Sequence, residues 1–317
     1  MFFNRAGCQA LRRAYPYSTR GTPRSWPARY STTSTPSLGR LKGATCMVTG
    51  GSSGIGLGIA QRFLLEGAQR IILVGRNTQR LRDAARQLIP ETSLDESPEA
   101  AKISHSDRFS LVTGDVGCPE FWCEDVKRLM GKVDILVNAA GVSHSSLLPT
   151  AKDEHITQIL NTNLRGTIFA CRSMTRQALR QRRAQKQQSN DDSTASSYVG
   201  SKCIINISSL HASRGGVGVA AYASTKAGVI ALTRAIVAES NLSSSGASIR
   251  ANVIVPGYID TKMLDELSEK FRKEIVQSIP LRRLGMVEEV ADAAVFVATN
   301  QYANNCVLNI DGGLSAA

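Results

Sequence analysis

A glycine-rich turn near the start of the chain limits the possible fold more than any other feature. Residues 49–56 read Thr-Gly-Gly-Ser-Ser-Gly-Ile-Gly, and we call them the glycine turn. An apolar run at 44–48 precedes the turn and predicts a buried strand, and helical periodicity over 55–66 follows it. Strand, glycine turn and helix in this order are the context that a dinucleotide-binding fingerprint requires. The alternative is a tight turn that binds no ligand.

The residue types of the glycine turn suit a pyrophosphate. Glycines let the backbone approach the phosphates closely, and the following helix offers free N–H groups and the positive end of its dipole. The predicted contacts are Gly50, Ser52, Ser53, Gly54, Ile55 and Gly56.

A second motif places a phenol and an ammonium four residues apart, at Tyr222 and Lys226. On a helix these positions share one face, about 5–6 Å apart at Cβ. A nearby cation favours the phenolate, so we expect Lys226 to lower the pKa of Tyr222 from its usual value of about 10. The pair then supplies a proton donor or acceptor near neutral pH. The spacing alone can arise by chance on any exposed helix.

Apolar runs and helical patterns alternate along the rest of the chain. We predict strands at 44–48, 70–74, 109–112, 134–138, 203–207, 249–255 and 306–310, and helices at 55–66, 78–89, 119–130, 153–181, 221–241 and 287–299. This alternation predicts an α/β fold, a single-domain, Rossmann-type, doubly wound parallel sheet of about seven strands with helices on both faces. Polar stretches near 90–108 and 180–200 predict solvated, mobile insertions.

The first 40 residues have a composition of their own. They contain seven arginines and no acidic residue, and they account for much of the net charge of +12. An arginine-rich, serine-rich, acid-free start is typical of a mitochondrial transit peptide, so we predict a transit peptide and linker at 1–40 and a Rossmann-fold domain at 41–317. A basic nucleic-acid-binding arm is the competing interpretation; the absence of lysine and the dinucleotide motif that follows argue against it.

Two further expectations come from composition. Because no run of 18 apolar residues occurs, we expect no membrane span. The seven cysteines show neither CxxC nor metal-ligand spacing, so we expect reduced, mostly packed thiols and no metal site.

Together, the glycine turn and the Tyr222–Lys226 pair resemble the short-chain dehydrogenase/reductase family, in its TGxxxGIG subgroup. The resemblance runs from about Leu41 to Leu314. Three further family elements occur in the expected order: Asn-Ala-Ala-Gly at 138–141, Thr-Asn-Leu at 162–164, and a PGxxxT segment at 256–261.

The resemblance implies a catalytic tetrad of Ser209, Tyr222, Lys226 and Asn163. Ser209 and Tyr222 would bind the substrate carbonyl, Tyr222 would donate its proton, and Lys226 would tune the tyrosine and hold the nicotinamide ribose. Asn163 would anchor a water that returns the proton through Lys226. The thirteen-residue spacing to Tyr222 selects Ser209 over Ser208.

The same resemblance implies further cofactor contacts. Asp115 and Val116 would contact the adenine, and the Asn138 amide would fix the loops beside the adenosine ribose. The complete set outside the glycine turn is Arg76, Asp115, Val116, Asn138, Ala139, Gly141, Tyr222, Lys226, Pro256, Gly257, Ile259 and Thr261.

Arg76 decides the expected cofactor. An acidic residue at the end of the second strand would bind the ribose 2′-hydroxyl of NAD, but no acid stands there and Arg76 follows closely. Arginine suits a 2′-phosphate through bidentate contact, which predicts NADP(H). The alternative is an ordinary surface arginine at a helix start.

Within the family, the chain looks most like 3-oxoacyl-[acyl-carrier-protein] reductases, on segments 279–285, 288–291 and 311–313. This resemblance implies a carrier-bound acyl substrate, fatty acid synthesis in the mitochondrial matrix, and a homo-oligomer, a tetramer by family habit. It implies no nucleic-acid partner. Two alternatives stay open: another NADP-linked carbonyl, quinone or alcohol oxidoreductase, and a non-catalytic cofactor-binding subunit.

The chain also departs from the family pattern. Gly200 and Ser201 stand where a carrier-docking arginine is expected, so we place a docking patch at Arg180, Arg182, Arg183 and Lys186 instead. The alternative for that patch is a solvated helix end. Near the C-terminus Asn305 replaces a glycine; since asparagine tolerates the left-handed conformation, we expect the turn to survive.

Overall fold

The computed structural model describes residues 39–90, 103–187, 200–241, 249–264 and 268–316. The strands are β1 (Thr45–Thr49), β2 (Arg70–Gly75), β3 (Ile103–His105), β4 (Phe109–Thr113), β5 (Ile135–Asn138), β6 (Lys202–Ile207), β7 (Ile249–Pro256) and β8 (Val307–Ile310). The α-helices are α1 (Gly54–Leu65), α2 (Thr78–Leu88), α3 (Glu124–Gly131), α4 (Asp153–Ile159), α5 (Gly166–Gln187), α6 (Ala220–Asn241), α7 (Glu269–Ser278) and α8 (Val287–Thr299).

The strands form one sheet in the order β3-β4-β2-β1-β5-β6-β7-β8. Neighbouring strands are parallel, except that β3 runs antiparallel to β4. From β1 the chain moves outward through β2 and β4, and it then returns to β5 and moves the other way through β6 and β7. Such a reversal is a topological switch point, and it opens a crevice at the carboxyl ends of β1 and β5.

Alternate residues of the central strands enter two separate apolar clusters. On β1, Cys46 and Val48 pack with Phe63 of α1. Met47 points to the opposite face and packs in the cluster that includes Met174 of α5. Helices therefore cover both faces of the sheet, and the predicted doubly wound α/β fold is confirmed.

The sheet has one strand more than the seven that we placed in the sequence, because the insertion near 90–108 contains β3. This three-residue edge strand pairs with β4, and the ring nitrogen Nδ1 of His105 lies 2.9 Å from Ser110 Oγ. Three residues are too few to show strand periodicity in the sequence. Residues 91–102 of the predicted insertion lie outside the described residues.

Two predicted helices and one predicted insertion also need correction. The chain stays helical past Arg180 to Gln187, since arginine, glutamine and alanine favour helix, and residues 188–199 lie outside the described residues. The predicted helix 119–130 is a 3₁₀ turn (Pro119–Trp122) followed by α3. The predicted helix 153–181 contains a π-helical segment, Leu160–Arg165, between α4 and α5.

One helix was not predicted from the sequence. The segment 261–279 carries α7, whose N-cap Ser268 accepts a hydrogen bond from the Phe271 N–H at 3.3 Å. Its many charged residues obscure the helical period.

The turn before β8 forms as predicted. Asn305 has a φ of 61°, and its N–H donates to the Ala251 carbonyl at 2.8 Å. Arg250 lies buried beside this turn and donates to the Val297, Ala298 and Ala303 carbonyls. The buried guanidinium is satisfied by the carbonyls at the end of α8, where helix C-termini favour cations.

Nearly all of the predicted transit peptide lies outside the described residues, so that interpretation stays a prediction. Arg40, which we placed in the leader, donates to the buried Glu66 at 2.9 Å. The described cysteines are free thiols. In the described part of the chain, no helix is long and apolar enough to cross a bilayer.

Candidate active site

The glycine turn can be built only with glycine at two of its positions. Gly50 has a φ of 70°, and a Cβ there would lie 2.8 Å from Cα of Ala140. A Cβ on Gly56 would overlap the Gly50 carbonyl. The turn thus packs directly against the segment that follows β5.

The first turn of α1 is open to an anion. It carries no acidic residue, and its N-cap Ser53 makes no side-chain capping bond. Thr261 borders the same turn, since its Cγ2 lies 3.6 Å from the position of a Cβ on Gly54. The side chain of Ile55 is partly buried against the core. Free N–H groups in a glycine-rich turn without an acidic side chain fit a pyrophosphate.

The carboxyl ends of β2 and β4 form the far side of the crevice. Asp115 Oδ1 accepts from the Gly117 N–H at 2.8 Å, which fixes the turn after β4. Val116 is buried, and its carbonyl accepts from Trp122 Nε1 at 2.9 Å. Arg76, after β2, is exposed and makes no hydrogen bond or ion pair with any residue that the structure describes. Its guanidinium can therefore meet an anionic ligand.

The side-chain amide of Asn138 does not bind the loops that we expected it to fix. It is buried, and its Nδ2 donates to Oδ1 of Asn206 on β6 at 2.8 Å. It therefore ties β5 to β6 and does not reach the loops after them. Its Oδ1 is buried without a hydrogen-bond partner among the described residues.

The segment after β7 forms another wall. Pro256 ends β7, and a Cβ on Gly257 would lie 2.8 Å from Cα of Asp311. Ile259 is buried in the core, so it offers its main chain to the crevice. Thr261 Oγ1 donates to the Ile259 carbonyl at 3.4 Å, which folds this segment back toward the glycine turn.

Ser209, Tyr222 and Lys226 meet at the end of β6. Ser209 follows the strand, is only 8% exposed, and accepts from the His211 N–H at 3.2 Å. Lys226 Nζ lies 5.6 Å from the centre of the Tyr222 ring, one turn along α6. The same Nζ donates to the Ile207 carbonyl at 2.9 Å. The helix spacing and the strand end thus bring the three predicted groups together.

Asn163 joins them from the π-helical segment. Its Oδ1 accepts from the Val142 N–H at 2.8 Å, and its Nδ2 donates to the Val142 carbonyl at 2.9 Å. A Cβ on Gly141 would lie 3.5 Å from both Asn163 Oδ1 and Lys226 Nζ, so Gly141 lies next to both groups. Single π turns are frequent at functional sites, and this one turns Asn163 inward. Its water-anchoring role stays a prediction.

The electrostatics differ from the sequence-based expectation. Burial raises the pKa of Tyr222 above its usual value, and a hydrogen bond from Ser209 offsets this effect in part. Burial also lowers the pKa of Lys226 to about 8. The expected lowering of the tyrosine pKa by the lysine is therefore wrong for the protein alone, because removing water penalises both charged forms. The phenol stays protonated, as a proton donor must be.

Two aromatic residues beside the tetrad were not predicted. The ring of His211 lies 6.4 Å from the Tyr222 ring and 5.9 Å from the Tyr258 ring, edge to face in both cases. The available signal was position: His211 stands two residues after Ser209, where a strand end opens into the crevice. Within the described residues, no group of three or more histidine, cysteine or acidic residues could hold a metal.

Comparison with known proteins assigns the family. A family model described as "Enoyl-(Acyl carrier protein) reductase" matches residues 50–315. The chain belongs to the short-chain dehydrogenase/reductase family. A 3-oxoacyl-[acyl-carrier-protein] reductase of Chlamydia muridarum is 34% identical over 280 residues, which cover 87% of this chain and 98% of the relative. One from Rattus norvegicus is 34% identical over 270 residues, 85% of this chain and 97% of the relative.

A solved structure extends the likeness to a bound cofactor. A gluconate 5-dehydrogenase of Burkholderia cenocepacia, in complex with NADP and tartrate, superimposes with a TM-score of 0.70 at 25% identity. The alignment covers 89% of this chain and 98% of that structure. With the family and the site geometry together, the chain is an oxidoreductase that uses a nicotinamide cofactor.

Burial of Lys226 predicts a pH-dependent stability. Below pH 8 the folded state carries a buried ammonium, and between pH 8 and 10.5 only the unfolded state keeps the proton, so stability rises with pH across this window. We expect Lys226→Met to be about 1–3 kcal/mol more stable than the wild type at pH 7, because it removes the buried charge. Loss of the hydrogen bond to the Ile207 carbonyl offsets part of this stabilisation. The difference should shrink toward pH 10.5. Urea unfolding without cofactor measures it.

Lys132→Met, at an exposed lysine, is the control for this measurement and should change stability little at either pH. A Lys226→Met protein that is no more stable than the wild type at pH 7, or whose advantage does not depend on pH, would contradict the proposed burial penalty.

Proposed function

We propose that this chain is an NADPH-dependent 3-oxoacyl-[acyl-carrier-protein] reductase of mitochondrial fatty acid synthesis. One observation carries the proposal: Ser209, Tyr222, Lys226 and Asn163 lie close together at the end of β6, and the glycine turn after β1 leaves its backbone open to a phosphate. The bacterial and mammalian relatives that span nearly the whole chain support the acyl substrate.

The chemistry assigned to the chain is proton donation to a polarised carbonyl. Ser209 and Tyr222 donate hydrogen bonds to the ketone oxygen, where negative charge develops. A nicotinamide cofactor, when bound, would supply the hydride for the carbonyl carbon. Tyr222 then gives its proton to the alkoxide oxygen, which leaves a phenolate and an alcohol. Lys226 stabilises that phenolate and, with a pKa of about 8, returns a proton to it.

The cofactor proposal rests on Arg76. Because this guanidinium is exposed and meets no described partner, its positive charge is available to a 2′-phosphate at the end of β2. A contact of this kind would favour NADPH over NADH.

Arg76→Ala should change KM for NADPH much more than KM for NADH. We expect KM for NADPH to rise about 10–100-fold, because one charge-assisted contact is lost. KM for NADH should change less than about threefold. Arg86→Ala, an exposed arginine in the last turn of α2, should change neither. Steady-state kinetics with both cofactors measure the effect, and an equal loss with NADH would remove Arg76 from 2′-phosphate recognition.

A substrate panel tests the proposed reaction. With NADPH, we expect acetoacetyl thioester to give a higher kcat/KM than a quinone, crotonyl thioester or 5-ketogluconate. Tyr222→Phe should lower kcat about 10²–10⁴-fold, since it removes the general acid. Preference for the quinone or the sugar acid would favour the alternative oxidoreductase. A Tyr222→Phe protein that keeps its full biological effect would favour a non-catalytic, cofactor-binding subunit.

The carrier-docking proposal concerns the basic end of α5. Arg176 and Arg180 line a small cleft between α3 and α5, with a cavity of about 60 Å³, and Lys127 faces it from α3. Arg182, Arg183 and Lys186 lie on the following helical turns. Acyl carrier proteins are acidic, so this run of cations suits charge-steered docking.

Charge reversal at Arg180, Arg182, Arg183 and Lys186 tests the docking. We expect KM for carrier-bound acetoacetyl substrate to rise at least tenfold at low salt, and KM for a small acetoacetyl thioester to stay within twofold. Arg86→Glu, on the opposite face of the sheet, is the control. Equal effects on both substrates would refute docking at this patch.

The proposal includes a mitochondrial matrix location and a homo-oligomer, a tetramer by family resemblance. The leader composition supports the first. The second is supported by apolar side chains left exposed along the β8 edge, Phe296 (46%) and Val307 (38%). Cell fractionation of the tagged full chain and native mass spectrometry measure the two properties, and a cytosolic monomer would contradict both.

A further inference from the structure

Two adjacent serines follow β6, and the proposed reaction uses only Ser209. Its neighbour Ser208 is 3% exposed, and its main chain extends the sheet, because its N–H donates to the Ile254 carbonyl on β7 at 2.9 Å. The Oγ of Ser208 donates to the main-chain carbonyl of Lys226 on α6 at 2.7 Å. Ser208 therefore joins the sheet to α6 at the residue that carries the buried ammonium.

Two consecutive residues of the chain hold Lys226 at both of its ends. Its Nζ donates to the Ile207 carbonyl at 2.9 Å, and its main-chain carbonyl accepts from Ser208. In a helix that carbonyl also accepts from the N–H four residues later, so the serine uses its second lone pair. The position of the ammonium at the end of β6 thus depends on where the main chain of the lysine is held.

A second buried pair links β6 to α6 further along the helix. Asn206 Nδ2 donates to Thr233 Oγ1 at 2.8 Å, and both residues are buried. Asn206 and Ser208 stand two positions apart, so their side chains point to the same face of the sheet. Thr233 lies seven residues after Lys226, about two helical turns, and therefore on the same side of α6. Together the two hydrogen bonds fix the position and the rotation of α6 on the sheet.

Apolar packing fixes this part of α6 less sharply than these bonds do. Around Lys226 the helix carries small side chains, at Ala223, Ser224, Ala227 and Gly228, which are too short to interlock deeply with the sheet. Hydrogen bonds are directional, and a fully satisfied buried polar network selects one arrangement. Precision matters here, because a displacement of about 1 Å can cost an enzyme about 10²-fold in rate.

We propose that Ser208 is a positioning residue: its hydroxyl holds the main chain of Lys226 so that the ammonium stays beside Tyr222 during proton transfer. This assignment rests on the proposed function and adds to it a residue that touches neither substrate nor cofactor. The two adjacent serines then have separate roles. Ser209 binds the ketone, and Ser208 acts through the lysine.

Hydrogen–deuterium exchange of the protein without cofactor tests the link between Ser208 and α6. We expect Ser208→Ala to speed amide exchange at least about fivefold in peptides covering 222–232, because this part of the helix opens more easily. Ser110→Ala is the matched control, since it removes another buried, hydrogen-bonded serine, on β4. It should leave exchange in these peptides unchanged. Mass spectrometry measures the exchange, and thermal melting shows whether each variant is folded.

Steady-state kinetics with NADPH and acetoacetyl thioester test the role in the reaction. We expect Ser208→Ala to lower kcat about 10–100-fold and to change KM for the thioester less than about threefold, since Ser209 still binds the ketone. Ser208→Thr keeps the hydroxyl, and Ser208→Val has the same shape without it. The threonine variant should therefore keep a clearly higher kcat than the valine variant. Ser110→Ala should leave kcat unchanged.

A second background shows whether the loss passes through the lysine. In Lys226→Met the ammonium is absent, so adding Ser208→Ala should lower the remaining kcat less than about twofold. A general weakening of the fold would instead lower kcat equally in both backgrounds.

The outcomes separate this assignment from the proposed function. If the wild type reduces no 3-oxoacyl thioester, the proposed function is wrong, and the kinetic comparison is made with whichever substrate of the panel it reduces. Unchanged exchange or unchanged kcat in Ser208→Ala overturns the positioning role. An equal loss of kcat in the Lys226→Met background overturns it as well. Faster exchange in α6, with a loss of kcat that disappears in Lys226→Met, supports it.

Discussion

The site depends on one buried ammonium. Lys226 is 5% exposed and meets no acidic side chain among the described residues; its Nζ is held by the Ile207 carbonyl at the end of β6. That position requires α6 to pack on the sheet next to β6. The doubly wound topology supplies it, because β5 and β6 end side by side at the crevice. A buried cation without a counter-ion costs stability, and it is retained here where the proposed chemistry needs it.

The same burial sets the protonation of the site. Partial burial removes water that would stabilise a phenolate, so Tyr222 stays neutral, and Lys226, with a pKa of about 8, is close to losing its proton at neutral pH. A neutral phenol is the form needed to protonate an alkoxide. Burial thus prepares the pair for reduction of a carbonyl, whereas a pair exposed to water would gain little from its proximity.

Much of the fold and the site could be predicted from local sequence, because their signals are local. The glycine turn needs conformations that only glycine adopts easily, and Tyr222 and Lys226 meet through helix spacing alone. The pKa of Tyr222 was predicted in the wrong direction, since spacing shows the nearby charge but not the loss of water. Two features had no local signal: the three-residue strand β3 and the π turn at Asn163. Each depends on contacts with distant segments.

A crystal structure with NADP⁺ and a 3-hydroxyacyl thioester would test the central claim most directly. The account predicts the pyrophosphate on the glycine turn and the substrate hydroxyl oxygen within hydrogen-bond distance of both Ser209 Oγ and Tyr222 Oη. Lys226 Nζ should contact the nicotinamide ribose. A hydroxyl oxygen bound away from Tyr222, or a nucleotide bound outside the crevice at β1 and β5, would contradict the account.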